Sequence, residues 1–309
     1  MRKAILALLA LIMVSGCSQQ TEPIAPSPDR TLTVYTTIAP IHFAVRELLG
    51  DRDTVINTTS VGEDAAHYMP DRDVLSEMVE ADLIILNGAG FEEWSDSVTL
   101  PDSITLDSAH AFRNEWIAYE KVVHSHGDHE HHSHEGYNGH TWMAPAYFQQ
   151  QVETIYERLK TMLTEEQQQA RNLSENYLAL NTQLSGLDAK ARAVLTPLQG
   201  TTIAATHPTY DYLGQSYDFE VFNIDIDPTA EEVTSHIDGE LHKLSHEQAH
   251  TAIAYLFWEE EPSEALQQAT AEMGITNIVF PPLEDMDDPD YISGMEDTLS
   301  EIAHIISAD

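Results

Sequence analysis

Short apolar runs alternate with amphipathic stretches along the first third of the chain. The runs at residues 32–38, 54–61 and 83–87 are typical of strands, and residues 40–49 and 73–79 between them have apolar positions at helical spacing. The same alternation returns after residue 200, with strands predicted at 201–206, 220–224, 251–257 and 277–280 and helices at 231–244, 263–273 and 291–306. Alternation of this kind predicts two α/β lobes with parallel sheets.

The segment between the two lobes is rich in helix-forming residues. Residues 146–195 contain no proline and a single glycine, which predicts one or two long helices. A helix of about thirty residues spans about 45 Å, enough to run along both lobes. The predicted fold class is therefore α/β, with two Rossmann-like lobes of mostly parallel sheets joined by a long rigid backbone helix. A coiled-coil oligomerisation helix is the alternative, but no strict heptad persists, and we expect a monomer.

The N-terminus has the features of a secretory leader. Three residues with a basic pair precede the apolar stretch 4–14, which is too short to span a bilayer, and the segment closes on Cys17. A small-residue site ending on the sole cysteine resembles a bacterial lipobox, whose cysteine carries a lipid anchor; an ordinary signal peptide is the alternative. The predicted organisation is a lipoprotein signal peptide at 1–17, a Pro-punctuated tether at 18–30, an N-terminal lobe at 31–145, a linking helical region at 146–195 and a C-terminal lobe at 196–309.

Charge and cysteine content restrict the chemistry. The formal net charge is −38, and loss of the two basic residues of the leader makes it about −40, which excludes nucleic-acid binding. Most of this charge is typical of a solvated acidic surface, although it also attracts cations. Because the one cysteine is assigned to the anchor, a metal in the folded part must be held by His, Asp or Glu.

A low-complexity stretch at 124–134 contains six histidines in eleven residues: His124, His126, His129, His131, His132 and His134. Neutral imidazole is a common ligand of zinc and copper, so this loop predicts a weak, exchangeable auxiliary metal site. Ordering a loop around an ion costs entropy, which argues against a high-affinity site there. A solvated linker or a pH-dependent charge cluster is the alternative.

Three isolated histidines lie at the ends of predicted elements. His67 follows a strand-like run of the first lobe, His140 stands two residues before Trp142, and His207 ends a strand-like run ahead of a predicted helix. Open α/β sheets bind ligands at such positions, and three histidines meeting in one cleft would form a nitrogen site for a metal. Taken singly, each is equally typical of a hydrogen-bonded structural histidine.

From about residue 31 to the C-terminus the chain resembles the periplasmic solute-binding proteins of zinc and manganese ABC importers, whose zinc branch includes the ZnuA proteins. The resemblance lies in a glycine-led segment containing His67, a His-rich insertion, His140 before Trp142, a long helix, and the segment Thr206-His207-Pro208-Thr209-Tyr210. It implies that His67, His140 and His207 bind the transported ion and that the partner is a membrane permease of a zinc ABC importer. The manganese branch usually has Glu in place of His207, so the resemblance implies Zn²⁺.

Two departures from the family pattern concern the site. The second motif usually reads Asp-Pro-His, whereas this chain has Asn138-Gly139-His140, and we expect looser support of that imidazole. Pro281 also replaces an Asp that is a ligand in many relatives. The fourth ligand is then Glu284 or Asp285 after a loop shift, a loop histidine, or water.

We assign no ligand role to the remaining candidate residues. Glu259 is interpreted as part of a solvated strand end, and seven further histidines are interpreted as surface residues: His42, His110, His236, His242, His246, His250 and His304.

Two further functions stay open besides that of a metal receptor. Three histidines and a water also describe a zinc-dependent hydrolase, for which Glu284 is the one candidate base and no motif positions it. A manganese-specific receptor or surface adhesin of the same family is the other. We expect no enzyme activity and a lipoprotein in the periplasm or on the cell surface.

Overall fold

The computed structural model describes residues 27–59, 65–119, 136–285 and 290–308, together with the backbone of 123–125 and 131–133. The predicted leader, with Cys17, lies outside these residues, as does most of the predicted tether. The end of that tether contacts the folded chain, because the Gln167 side chain donates a hydrogen bond to the Ser27 carbonyl. None of the helices in these ranges is both long enough and apolar enough to cross a bilayer.

The first sheet is built from the N-terminal βαβ units. Its elements are β1 (Thr33–Thr36), α1 (Ala39–Leu49), β2 (Thr54–Asn57), α2 (Arg72–Met78), β3 (Leu83–Leu86) and β4 (Thr105–Asp107). The strand order is β2-β1-β3-β4, and all pairs are parallel. All four residues of the central strand β3 are buried, as expected where both faces of a parallel sheet are covered. The short edge strand β4 was not predicted.

Part of the His-rich stretch has extended backbone. Strands β5 (Val123–Ser125) and β6 (His131–Ser133) pair antiparallel, with His124 opposite His132. His126, His129 and His134 lie outside the described residues. The auxiliary metal site at 124–134 therefore stays a prediction.

The linking region contains three helices rather than one or two. They are α3 (Pro145–Met162), α4 (Glu165–Ala170) and α5 (Leu173–Leu195). The residues between the helices explain the breaks. Thr164 and Gln167 form a reciprocal capping box at the start of α4, and Asn172 adopts a left-handed conformation with φ of 53° before α5. The longest helix, α5, has 23 residues and spans about 35 Å.

The second sheet repeats the architecture of the first. Its elements are β7 (Thr202–Ala205), α6 (Asp211–Tyr217), β8 (Glu220–Asn223), α7 (Ser235–Gln248), β9 (Tyr255–Trp258), α8 (Glu264–Glu272), β10 (Thr276–Val279) and α9 (Tyr291–Ala308). The strand order is β10-β9-β7-β8, again all parallel. The strand predicted from residue 251 begins at Tyr255. The helix predicted from 231 begins at Ser235, because the Thr234 side chain caps it by accepting from the Ile237 amide.

One hydrophobic core joins both lobes. It includes β1 and β3 of the first sheet, the buried face of α5, and residues of β7, β9 and α9. Helix α5 packs against α3, against α1 of the first lobe and against α9 of the second. The predicted fold class, two α/β lobes joined by a long helix, is confirmed.

A buried ion pair fixes the linking region to the first lobe. The Arg171 guanidinium binds both carboxylate oxygens of Asp53, with Nε–Oδ2 and Nη2–Oδ1 distances of 2.6 Å, and both side chains are fully buried. Arg171 also donates to the carbonyls of Arg30 and Gln167, and Asp53 accepts from the Leu32 amide. Every charged atom of the pair is therefore partnered, as burial of charge requires.

Candidate metal centre

The three predicted ligand histidines line one cavity of about 390 Å³. His140 is buried, His207 is partly buried and His67 is exposed. The His207 segment follows β7, and the His140 segment packs on Asn87, which follows β3. The cavity therefore lies between the lobes, where the carboxyl ends of both parallel sheets meet, as is usual for ligand sites of open α/β folds.

Hydrogen bonds with Asn87 and Asn138 hold the His140 ring and the backbone of residues 139 and 140. The Asn87 side chain donates to the Gly139 carbonyl at 2.8 Å. Asn138 Oδ1 accepts from the His140 amide at 2.9 Å and lies 3.0 Å from His140 Nδ1. Because an amide oxygen only accepts, Nδ1 of the neutral ring carries the proton and the lone pair is on Nε2. This is the tautomer that binds metal through Nε2.

The amide nitrogen of Asn138 links the two lobes. Nδ2 donates to the Pro208 carbonyl, one residue after His207, and to Asp211 Oδ2 at 3.0 Å. Burial raises the pKa of Asp211, while hydrogen bonds from Asn223 and Asn138 and the nearby His207 ring act against that rise. An aspartate at position 138 could not make these two donations. Asn138, which stands where the family usually has Asp, therefore still gives His140 Nδ1 a hydrogen-bond partner. We expected looser support of this imidazole, but the structure shows the support in place.

Close packing against Phe91 explains why residue 139, next to His140, is a glycine. A Cβ atom on Gly139 would lie 2.5 Å from Phe91 Cβ and 2.7 Å from Phe91 Cα, both far inside contact distance. Proline, which the family usually has at this position, would meet the same obstruction. The Phe91 ring also contacts the rings of His140 and Trp142 edge-on, so it forms the wall behind the imidazole.

His207 is oriented by a hydroxyl and a carboxylate. Its Nδ1 is 3.2 Å from Thr209 Oγ1 and 3.4 Å from Glu259 Oε1. The Thr209 hydroxyl donates its own proton to Glu259, so its oxygen accepts the Nδ1 proton of His207. The lone pair of this ring is also on Nε2, and the carboxylate behind it increases the basicity of the ring.

Glu259 belongs to the site, so its interpretation as a solvated strand end was wrong. Burial alone would raise the pKa of its carboxyl, but the His207 ring, the Thr209 hydroxyl and the more distant His140 together lower that pKa to about 2. Glu259 follows β9 directly, and β9 pairs with β7, the strand before His207. Adjacency of the two carboxyl ends could have identified this residue, but the strand order is not readable from the sequence.

The distance between the rings of His140 and His207 is close to the distance expected for two imidazoles on one ion. Their centroids are 5.7 Å apart and their planes are nearly perpendicular. Two imidazoles on one tetrahedral ion with Zn–N bonds of about 2.1 Å have centroids about 5.3 Å apart. Among the described residues, no three His, Cys, Asp or Glu side chains already form a complete coordination group. His67 shares the cavity with this pair, and its role as a ligand stays a prediction.

Glu284 and Asp285 lie in a loop held against the first lobe. The Trp142 indole donates to the Pro282 carbonyl at 2.7 Å, and the Ala39 amide donates to the Glu284 carbonyl at 2.9 Å. Neither Glu284 nor Asp285 lines the cavity, whose acidic wall residues are Glu93 and Asp96. The assignment of a fourth ligand to this loop therefore stays a prediction.

Among the histidines interpreted as surface residues, His42 is not one. It is half-buried, with Nδ1 3.3 Å from Thr36 Oγ1. Burial first, and Arg46 second, lower its pKa to about 4, so the ring is neutral at ordinary pH.

The fold and site define an α/β binding protein with its ligand cavity between two lobes. A family model described as "zinc-uptake complex component A, periplasmic" matches residues 34–305. The chain belongs to this family, and the resemblance inferred from the sequence motifs is confirmed.

Similar proteins include metal-binding proteins of several bacteria. The chain is 24% identical to the zinc-binding lipoprotein AdcA of Streptococcus pneumoniae over 96% of its own length, and spans 59% of that relative. The Zn(II)-bound ZnuA-like domain of AdcA superposes with a TM-score of 0.70 and 21% identity, covering 89% of this chain and 99% of the domain. FpvC of Pseudomonas aeruginosa in complex with Mn²⁺ gives a TM-score of 0.69 and 19% identity, covering 91% of this chain and 100% of that one. At these identities the structures establish the fold alone.

Proposed function

We propose that the chain is a high-affinity extracytoplasmic receptor for Zn²⁺ and that His67, His140 and His207 bind the ion. The observation that carries this proposal is the pair of adjacent imidazoles, 5.7 Å apart, each with a hydrogen-bond partner at Nδ1. Both rings therefore have a lone pair on Nε2 before any ion arrives. Because both rings are already oriented, binding of the ion costs less conformational entropy.

The donor atoms favour zinc over manganese. Imidazole nitrogens suit Zn²⁺, whereas Mn²⁺ prefers carboxylate and carbonyl oxygens and binds nitrogen sites more weakly. The Glu259 carboxylate in contact with His207 faces Nδ1 and so orients the ring from behind instead of supplying a fourth donor. Water, a loop histidine, or Glu284 or Asp285 after a loop shift completes the tetrahedron.

In this proposal the protein releases its ion to the permease of a zinc ABC importer and catalyses no reaction. Cys17 anchors it by lipid, in the periplasm or on the cell surface, and it acts as a monomer. The His-rich segment 124–134 is a weak auxiliary site that collects ions. The names of similar proteins, a zinc-binding lipoprotein and a zinc-uptake component, support this assignment.

The test is zinc affinity measured by competition with a chromophoric chelator. Each of His67→Ala, His140→Ala and His207→Ala removes one nitrogen ligand, and we expect each to weaken binding by at least about 100-fold. His304→Ala, at an exposed position on α9, is the matched control and should leave affinity unchanged.

Unchanged zinc affinity in all three cavity variants would refute the proposal. Elemental analysis of the purified protein, with Mn²⁺ as competitor, separates a zinc receptor from a manganese receptor. Chelator-sensitive hydrolysis in a broad substrate screen would instead favour a hydrolase.

A further inference from the structure

A second pair of histidines lies at the C-terminal end of α7, in the second lobe, with His246 in the last turn of the helix and His250 in the turn that follows it. His246 and His250 are four residues apart, and their ring centroids are 5.0 Å apart with planes inclined by 59°. Both residues are exposed. The chain continues the helical turn beyond Gln248, with the His250 and Thr251 amides both donating to the Glu247 carbonyl, so the two rings lie side by side on the surface.

The ring separation matches that of two imidazoles on one metal ion. With metal–nitrogen bonds of about 2.1 Å and bond angles between about 90° and 109°, the two centroids are about 4.6 to 5.3 Å apart. The observed 5.0 Å lies inside this interval. A divalent ion would therefore require little movement of either side chain.

The surroundings of the pair favour a cation. His246 is in the last turn of α7, and the His250 amide donates to the Glu247 carbonyl just beyond it, so both rings lie at the negative end of the helix dipole. Lys243, on the same helix, is bonded to Glu240 on the preceding turn. Since the chain has a net charge of −38, little long-range repulsion opposes a divalent ion here.

This pair is separate from the cavity. In a right-handed βαβ unit the helix runs antiparallel to the strands, so the end of α7 lies at the amino-terminal edge of the second sheet. His207 and Glu259 lie at the carboxyl-terminal edge of that sheet, beyond β7 and β9. The two sites are therefore at opposite edges of the same lobe.

We propose that His246 and His250 form a second, exchangeable site for a divalent transition-metal ion of the Zn²⁺, Ni²⁺ or Cu²⁺ class. Two imidazoles are the protein ligands, and water fills the remaining positions. This agrees with the finding that the described residues contain no group of three or more ligands. Fewer ligands than in the cavity make this site weaker, so it fills after the cavity has bound its ion.

The test is zinc titration calorimetry on a full-length parent variant whose six histidines between 124 and 134 are replaced by serine. After one equivalent of Zn²⁺ has filled the cavity, we expect a second, weaker phase. Loss of one ring converts a chelate into a single ligand, so His246→Ala and His250→Ala should each weaken that phase about 10- to 100-fold and leave the first unchanged. His304→Ala is the control.

Crystals soaked in Zn²⁺ give the second measurement. Anomalous scattering at the zinc edge should show a peak within bonding distance of both rings. Absence of a second phase in the parent, a second phase unchanged in both single variants, or a peak only at other residues would each overturn the proposal. Because the first phase is measured in the same titration, a failure of the cavity to bind zinc would be seen separately.

Discussion

Replacement of Asn138 by alanine tests whether the side chain that bridges the lobes also prepares His140 for metal. The change removes the acceptor of the His140 amide and Nδ1, and it removes the donor to Pro208 and Asp211. Loss of a partner that fixes a ligand histidine typically costs 10- to 100-fold in metal affinity, which is about 1.4 to 2.7 kcal/mol. We expect zinc binding to weaken by this amount.

Stability should fall in the same variant for a separate reason. The partly buried Asp211 carboxylate would keep the bond from Asn223 and lose the one from Asn138, and the buried His140 amide would lose its acceptor. A buried polar group without a partner costs about 1 to 3 kcal/mol. Urea denaturation of the metal-free protein measures this loss.

Two further variants separate the effects. Asn223→Ala removes a bond of the same kind to Asp211 without touching either ligand ring, so it should lower stability and leave zinc affinity unchanged. Asn138→Asp retains an acceptor for His140 but places a carboxylate against Asp211, so it should recover most of the affinity and little of the stability. Zinc affinity of Asn138→Ala within twofold of the wild type, or an equal loss of affinity in Asn223→Ala, would refute the reasoning.

Four other predictions follow from the structure. Arg171→Ala leaves the buried Asp53 carboxylate unpaired and should lower the free energy of unfolding by about 3 to 5 kcal/mol in urea denaturation, and a loss below 1 kcal/mol would contradict this. Burial raises the pKa of Glu92 to about 7 against hydrogen bonds that favour its charged form, so its stabilising contribution is complete below about pH 4.5 and is lost as pH rises through about 7. Glu92→Gln should therefore flatten the stability profile between pH 4.5 and 8, and parallel profiles would exclude this origin. Glu259→Gln removes the charge behind His207 and should weaken zinc binding about tenfold in chelator competition. Unchanged zinc affinity would show that Glu259 lies outside the site. Removal of metal by a chelator should lower the melting temperature, and readdition of Zn²⁺ at 100 times its Kd should restore about 2.7 kcal/mol, whereas equal melting temperatures would show that no ion binds the folded state.

The sequence by itself determined the fold class, the family and the identity of the candidate ligands. Alternation of apolar strands and amphipathic helices is a local property of the chain, so every strand of both parallel sheets except the short β4 was predictable to within a few residues. The motifs around His67, His140 and His207 were also local, and the structure brings all three to one cavity. The break between α3 and α5 was present in the sequence as a capping box, but the helical composition on both sides concealed it.

Only the tertiary structure decided which side chains support the site. Glu259 acts on His207 because β9 pairs beside β7, and strand order depends on packing of the whole sheet. Asn138 is a satisfactory substitute for aspartate because Asp211 and Pro208 approach it from the other lobe, and Gly139 is required because Phe91 occupies the space of its Cβ. These contacts join residues far apart in the chain, whereas sequence patterns report local periodicity. For that reason the candidate ligands could be named from the sequence and the residues that support them could not.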